Sequence, residues 1–349
     1  MGKLLVTKFK TGLVYDKIFL EHDQQGHPEN ANRLKSIIDG LESKKLFEKV
    51  ELVNPRLADE EEISICHSIN YIHQVKEFCE KGGGYFDPDT YSNRNSFTVA
   101  ATVVGSSIDL TKLIIDGKLN NGFALVRPPG HHALSNKSMG FCLFGNITIV
   151  GKIASAQPSI KRVAIVDFDV HHGNGTQALV GDDPNILFIS THQYPFYPGT
   201  GGIREIGEGE AQGTIINIPF LAGVGDENFK VVYEKIIIPA LKRFMPDIIL
   251  VSAGYDAHWD DPLANLSLSL EGYDWISRKL IKTAEELCSG KIVFFLEGGY
   301  NLEVLKNGVA NTIRALLGIN SFDDPLGKST HKEQNIEKLI KELITIHGL

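Results

Sequence analysis

The sequence predicts an α/β fold built on a parallel sheet, and three observations lead there. Short runs of Val, Ile, Leu and Phe are near-continuous instead of alternating, as in strands buried on both faces. Between these runs lie longer stretches whose apolar residues recur at three- and four-residue spacing, the period of a helix packed on one side. The order strand, helix, strand, helix is the signature of α/β architecture. With 349 residues, 42% hydrophobic and 22% charged, and 34 Gly against 14 Pro, the composition is that of a folded globular chain, which excludes collagen and disordered classes. No repeat, low-complexity tract or long Pro/Ser/Gly linker divides it, so one domain over residues 1–349 is expected.

Taken in chain order, "HPEN" precedes Leu34, Ile37, Ile38 and Leu41, an amphipathic helix. "DEEE" at 59 reads as the solvated acidic first turn of another. "FALV" at 123, "RVAIVDFD" at 162 and "ILFIST" at 186 read as strands. Phe229, Val232, Ile236, Ile237, Ala240, Leu241 and Phe244 form a helical stripe, followed by the strand "DIILVSAG" at 247. A second stripe runs through Tyr273, Ile276, Leu280, Ile281, Ala284 and Leu287 before the strand "KIVFFLEGG" at 291. Ile336, Leu339, Ile340, Leu343 and Ile344 define a C-terminal packing helix over about 332–346.

Net charge of -8 argues against a nucleic-acid footprint, which needs clustered Lys and Arg. Cys66, Cys79, Cys142 and Cys288 contain no CxxC pair, so neither a thiolate zinc site nor a disulfide framework is expected. Lys3, Lys8, Lys10 and Lys17 break the start, and no uncharged apolar run reaches the roughly 18 residues of a membrane span. A cytoplasmic protein with no membrane partner is expected.

In open α/β sheets the ligand site lies beyond the carboxyl ends of the strands. Here "FALV" exits into "RPPGHHA", "RVAIV" into "DFDVHHGNG", "ILFIST" into "HQYPFYPGTGG", "DIILV" into "SAGYDAHWDDP" and "KIVFF" into "LEGGYN". Side chains two apart on an extended strand face the same way, so Asp169 and His171 can grip one ion, with Asp167 one step deeper and His172 turned elsewhere. Asp256 is the best placed third ligand, and Asp, His and Asp leave a metal one open position for water. The residues do not choose among zinc, iron, cobalt and manganese. Two carboxylates cancel the charge of a divalent ion, so its water is acidified less than by three imidazoles and a separate base is needed. "PPGHH" presents His131 and His132 for that task, and "EGGY" can aim Tyr300 at an oxyanion. Each motif alone also fits a blander reading, respectively a turn acid beside a satisfied histidine, a structural His pair and a Gly-Gly-Tyr turn. Their coincidence at five strand exits favours a site.

Together, "HPENANRL", "RPPGHHA", "GFCLFGN", "VAIVDFDVHHGNGTQ", "YPGTG", "SAGYDAHWDDPL" and "LEGGYN" resemble the histone deacetylase family, of the class II-like group that includes bacterial deacetylases and acetylpolyamine amidohydrolases. The resemblance spans about residues 22–318. It implies a single-domain arginase/deacetylase-like fold, a central eight-stranded parallel sheet with helices on both faces. It implies one zinc per chain on Asp169, His171 and Asp256, with Fe2+ or Co2+ as substitutes, and a structural K+ or Na+ held by backbone oxygens around Asp167, Asp169, His171 and Ser190. His132 is then general base and acid, His131 its electrostatic partner, Asp167 and Asn174 their orienting groups and Tyr300 the transition-state phenol. Phe141 and Tyr197 correspond to the channel walls, Tyr197 standing where Phe is commoner. The Gly140 carbonyl corresponds to the acceptor of the substrate amide N–H, Asp87 or Asp89 to the rim acid, and Arg33 to an inner acetate path.

Leu263 stands where polyamine-selective relatives carry Glu, so an acetylated lysine in a peptide or protein is expected over a small acetylated amine. A two-metal ureohydrolase and a non-catalytic acyl-lysine reader remain as rivals, and the oligomeric state is open. Cys142 reads as packing, and His22 and His27 as structural caps.

Overall fold

The computed structural model describes residues 9–349; Lys3 and Lys8, which interrupt the apolar start, lie outside the described residues. The strands are β1 (Thr11–Val14), β2 (Glu51–Val53), β3 (Gly83–Tyr85), β4 (Tyr91–Asn93), β5 (Asn121–Ala124), β6 (Val163–Asp167), β7 (Ile186–Gln193), β8 (Ile215–Phe220), β9 (Ile248–Ala253) and β10 (Ile292–Leu296). Eight of them form one sheet in the order β2-β1-β5-β10-β9-β6-β7-β8. Every pairing in it is parallel. The expected architecture is therefore present. β3 and β4 form a separate antiparallel hairpin.

The apolar runs are central for the predicted reason: β5, β6, β7, β9 and β10 are buried at every residue, and Phe123 and Phe294 stack across β5 and β10 at 5.9 Å. Such a pair contributes about 0.5–1.5 kcal/mol beyond its burial. β1, β2 and β8 lie outside the runs named from sequence. β8 reads "IINIPF", where Asn217 and Pro219 interrupt the apolar pattern; Asn217 is tolerated because its Nδ2 donates to Gln177 Oε1 at 2.7 Å.

The helices are α1 (Asn32–Ser43), α2 (Glu60–Ser64), α3 (Ile69–Glu80), α4 (Ser96–Ile115), α5 (Asn146–Ser155), α6 (Asn174–Val180), α7 (Asp226–Val232), α8 (Ile238–Phe244), α9 (Leu270–Cys288), α10 (Leu302–Leu316) and α11 (Glu337–His347). They flank the sheet, α1 packing on α10 and α10 on α9, and α4 on α5. The acidic run at 59 does open α2, through a capping box between Asp59 and Glu62. α7 and α8 are one stripe interrupted by a π turn over Tyr233–Ile237. Pro239 has no N–H to donate to the carbonyl four residues back, which accounts for the wider turn there.

The C-terminal helix starts later than the periodicity suggests. Glu333 lies outside it because its carboxylate accepts the N–H groups of Gly225, Glu227 and Asn228, each at 3.0 Å, capping the start of α7. α4 is long and apolar enough to cross a membrane by length and composition, yet most of it is buried in this core, with Asp109 paired to Arg56 at 2.9 Å. The four cysteines are buried free thiols.

Candidate active site

The loops that follow β5, β6, β9 and β10 meet at the carboxyl edge of the sheet, where adjacent strands put Asp167 in register with Ser252 and Leu296 with Ala253. The convergence of Asp169 and His171 has a different cause from the one expected. β6 ends at Asp167, so neither residue is on a strand and the two-residue alternation does not apply. Instead the loop is folded by its own carboxylates: Asp167 Oδ1 accepts from Asp169 N at 3.0 Å, and Asp169 Oδ1 accepts from His171 N at 2.8 Å. These consecutive Asx turns bring Asp169 back beside His171.

Asp169, His171 and Asp256 each offer one ligand atom, all within 4.8 Å of one another. His171 Nδ1 lies 3.1 Å from Asp169 Oδ1 and 3.2 Å from Asp256 Oδ2. The remaining oxygens are committed, Asp169 Oδ2 to Gly298 N at 2.8 Å and Asp256 Oδ1 to Val170 N at 2.9 Å. Asp256 Oδ2 is buried without a hydrogen-bond partner. Two wholly buried carboxylates facing one imidazole nitrogen are costly without a cation between them. Gly298 makes room for the cluster: a Cβ there would collide with the carboxylates of both Asp256 and Asp169. The donor set, the orphaned oxygen and the missing side chain fit a divalent ion.

Beside the cluster sit both histidines of "PPGHH". His131 Nδ1 is 3.0 Å from Asp167 Oδ2, and His132 Nδ1 is 2.7 Å from Asn174 Oδ1 at the start of α6. The rings lie 4.0 Å apart, centroid to centroid. Burial alone would push His131 down, but the carboxylates of Asp169, Asp167 and Glu297 outweigh it and raise the ring to about 10. His132 is held well below its ordinary value, first by burial and then by repulsion from His131 and His171. Burial thus favours the neutral form of His132, while the Asp167 carboxylate favours the charged form of His131. Asn174 engages Nδ1 of His132, so its Nε2 is the nitrogen left to accept a proton.

A cavity of about 450 Å3 opens over these groups, lined among others by Gly140, Phe141, Tyr197, Leu263 and Tyr300. Gly140 and Phe141 have φ of 56° and 68° and form the left-handed centre of a tight turn, closed by hydrogen bonds in both directions between Met139 and Cys142. The turn lifts the Phe141 ring to 5.9 Å from that of Tyr300. Tyr197 lies edge-on to His132 at 5.2 Å. A Cβ at Gly140 would run into the His132 ring itself. Gly140→Ala is therefore expected to displace His132 and lower turnover about 100-fold, the scale of a 1 Å misplacement, which steady-state kinetics would measure.

Of the two candidate rim acids, Asp89 lines the mouth. Asp87 Oδ1 accepts from Asp89 N at 3.1 Å and Thr90 N at 2.6 Å, which shapes the turn that carries Asp89. Arg33 is fully buried, pairing with Glu29 at 3.0 Å and donating to the Gly299 carbonyl at 2.7 Å. His172 does point away, to Thr200 and Gln177. Cys142 is buried with its Sγ against the Gly140 carbonyl at 3.2 Å, a packed position.

Three residues escaped the sequence reading. His27 bonds backbone as expected, at Glu29 N and the Asp89 carbonyl, and it also lines the cavity, edge-on to Phe141 at 4.8 Å. Phe196 stacks on His171 at 5.5 Å. Glu297 is buried and accepts from Gly130 N at 2.7 Å and His131 N at 3.2 Å, holding the "PPGHH" loop against the end of β10. An acid directly after a wholly apolar strand was the visible signal for it.

The chain matches the histone deacetylase domain over residues 27–316. It is 41% identical over 351 residues to histone deacetylase 14, chloroplastic, of Arabidopsis thaliana, covering 95% of this chain and 83% of that one. It is 39% identical over 296 residues to a probable deacetylase of Archaeoglobus fulgidus, covering 84% and 82% respectively. The crystal structure of the HDA15 HD domain superposes with a TM-score of 0.89 at 34% identity, over 97% of this chain and 94% of that one. With this match across most of its length and the strand-end cluster described above, the chain belongs to the histone deacetylase family of amide hydrolases.

Proposed function

We propose that this enzyme removes acetyl groups from the side-chain amine of lysine in peptides or proteins, using zinc held by Asp169, His171 and Asp256. The observation that carries the reading is the neutral, oriented His132 beside a three-ligand cluster at the floor of an aromatic-walled cavity. A divalent ion bound there supplies Lewis acidity toward a water and the acetamide carbonyl, and leaves a coordination position open. His132 Nε2 takes the proton of the attacking water, and the phenol of Tyr300 donates to the oxygen that gains charge. Protonated His132 then passes its proton to the departing amine, and acetate and free amine result. His131 is paired with Asp167, and the burial of His132 disfavours its early protonation. The Gly140 carbonyl accepts the substrate amide N–H, and Asp89 at the mouth holds substrate backbone. A structural K+ or Na+ at the backbone oxygens near Asp167 and Ser190 completes the reading.

Hydrolysis of an acetyl-lysine peptide measured beside acetylputrescine tests the substrate class. Leu263 puts an apolar side chain on the cavity wall, which offers a polyamine cation no partner. Leu263→Glu is expected to move the kcat/KM ratio at least about tenfold toward acetylputrescine, since a hydrogen bond to a charged group contributes about 1.5–3 kcal/mol. An unchanged ratio would remove the gate from the account.

A further inference from the structure

Tyr300 follows two glycines, of which Gly299 has φ of 115°, so the local chain has little stiffness of its own to aim the side chain. Among the described residues, no hydrogen bond reaches the phenol oxygen; its ring is bounded by Phe141 and by the Arg33 guanidinium at 5.2 Å. The direction of the phenol therefore depends on how the backbone of residue 300 is held. That backbone is held by Asp261, on the loop between β9 and α9. Asp261 is 6% exposed, and its Oδ2 accepts from Tyr300 N at 2.8 Å and Asn301 N at 3.3 Å. Its Oδ1 accepts from Leu263 N at 2.9 Å, in the loop that carries the cavity wall. The neighbouring Asp260 receives Asn301 Nδ2 on its carbonyl and on its carboxylate, both at 2.9 Å. Asn301 in turn caps α10 through Glu303 N and Val304 N. One carboxylate thus joins the phenol-bearing turn to the Leu263 loop.

We propose that Asp261 is a positioning residue that fixes the aim of Tyr300. The proposal rests on the reading of Tyr300 as the oxyanion donor. Asp261 is neither among the residues lining the cavity nor among the three whose ligand atoms converge; it acts through the backbone of Tyr300.

Asp261→Ala tests this, because it removes the oxygen that accepts from Tyr300 N and Asn301 N. Measured on the full chain loaded with one equivalent of Zn2+, with an acetyl-lysine peptide, the variant is expected to lose about 100-fold in kcat, the scale of a misplaced reacting group, with KM unchanged. In a Tyr300→Phe background the same substitution is expected to leave kcat as it finds it. A fall of equal size in both backgrounds, or no fall in the parent, would overturn the proposal. Should Asp261→Ala fail to fold, Asp261→Ser, whose hydroxyl can accept one N–H, enters the same cycle with the same two outcomes. If Tyr300→Phe alone keeps the parent kcat, the oxyanion role of Tyr300 is itself wrong. That failure shows in a variant whose Asp261 is intact, so the two are told apart.

Discussion

Replacing His132 by alanine is expected to lower kcat for an acetyl-lysine peptide about 1,000-fold, within the span that one positioned acid-base group contributes. Bound ion per chain should stay at the parent level, because His132 is not among the three residues whose ligand atoms converge. The size follows from the electrostatics of the pair. Asn174 holds Nδ1 and burial favours the neutral ring, so the remaining nitrogen, Nε2, is left to receive a proton. His131 is not equivalent, since its Nδ1 pairs with the Asp167 carboxylate at 3.0 Å, whereas the partner of His132 is the neutral amide of Asn174. Steady-state kinetics paired with metal analysis reads both expectations. Loss of activity with loss of ion would instead place His132 among the ligands.

Asp169→Asn should have the larger effect, taking hydrolysis to background by removing the ion. The amide keeps the shape of the side chain but gives up half of the buried negative charge opposite His171. Its oxygens also organise the loop, one receiving Gly298 N at 2.8 Å and the other His171 N at 2.8 Å, and only one of the two can survive as an acceptor. Added Zn2+ should raise the thermal midpoint of the parent, because an ion that binds only the folded state stabilises it by mass action. The variant should show no such rise. A variant that still gains stability with Zn2+ would show that Asp256 and His171 suffice for binding.

The strand exits could be read from sequence because β6, β9 and β10 are buried on both faces, and that imposes an unbroken apolar run whose end is visible. The ligands and the histidine pair follow such ends within a few residues, so they too were legible. What the residues alone did not reveal was how the loop after β6 works. Asp169 and His171 meet through turns that their own carboxylates close, not through strand alternation. Glu297 and Asp261 act on backbone groups remote in the chain or in a separate loop, Gly130 and Tyr300 respectively. Periodicity reports which face of its own element a residue occupies, and carries no information about such partners. β1 ("TGLV") and β2 ("ELV") escaped because each holds only two consecutive apolar residues, whereas β5 is continued by the buried Leu125 and Val126. Asp87 and Asp89 were inseparable from sequence, since only the fold of the turn shows that Asp87 spends its carboxylate on the backbone.

The most direct test is a titration of acetate release from an acetyl-lysine peptide as Zn2+ is returned to the chelated enzyme. A lone three-ligand site predicts no activity after chelation and full recovery at one ion per chain. Activity that survives chelation, or that recovers only at two ions per chain, would contradict it.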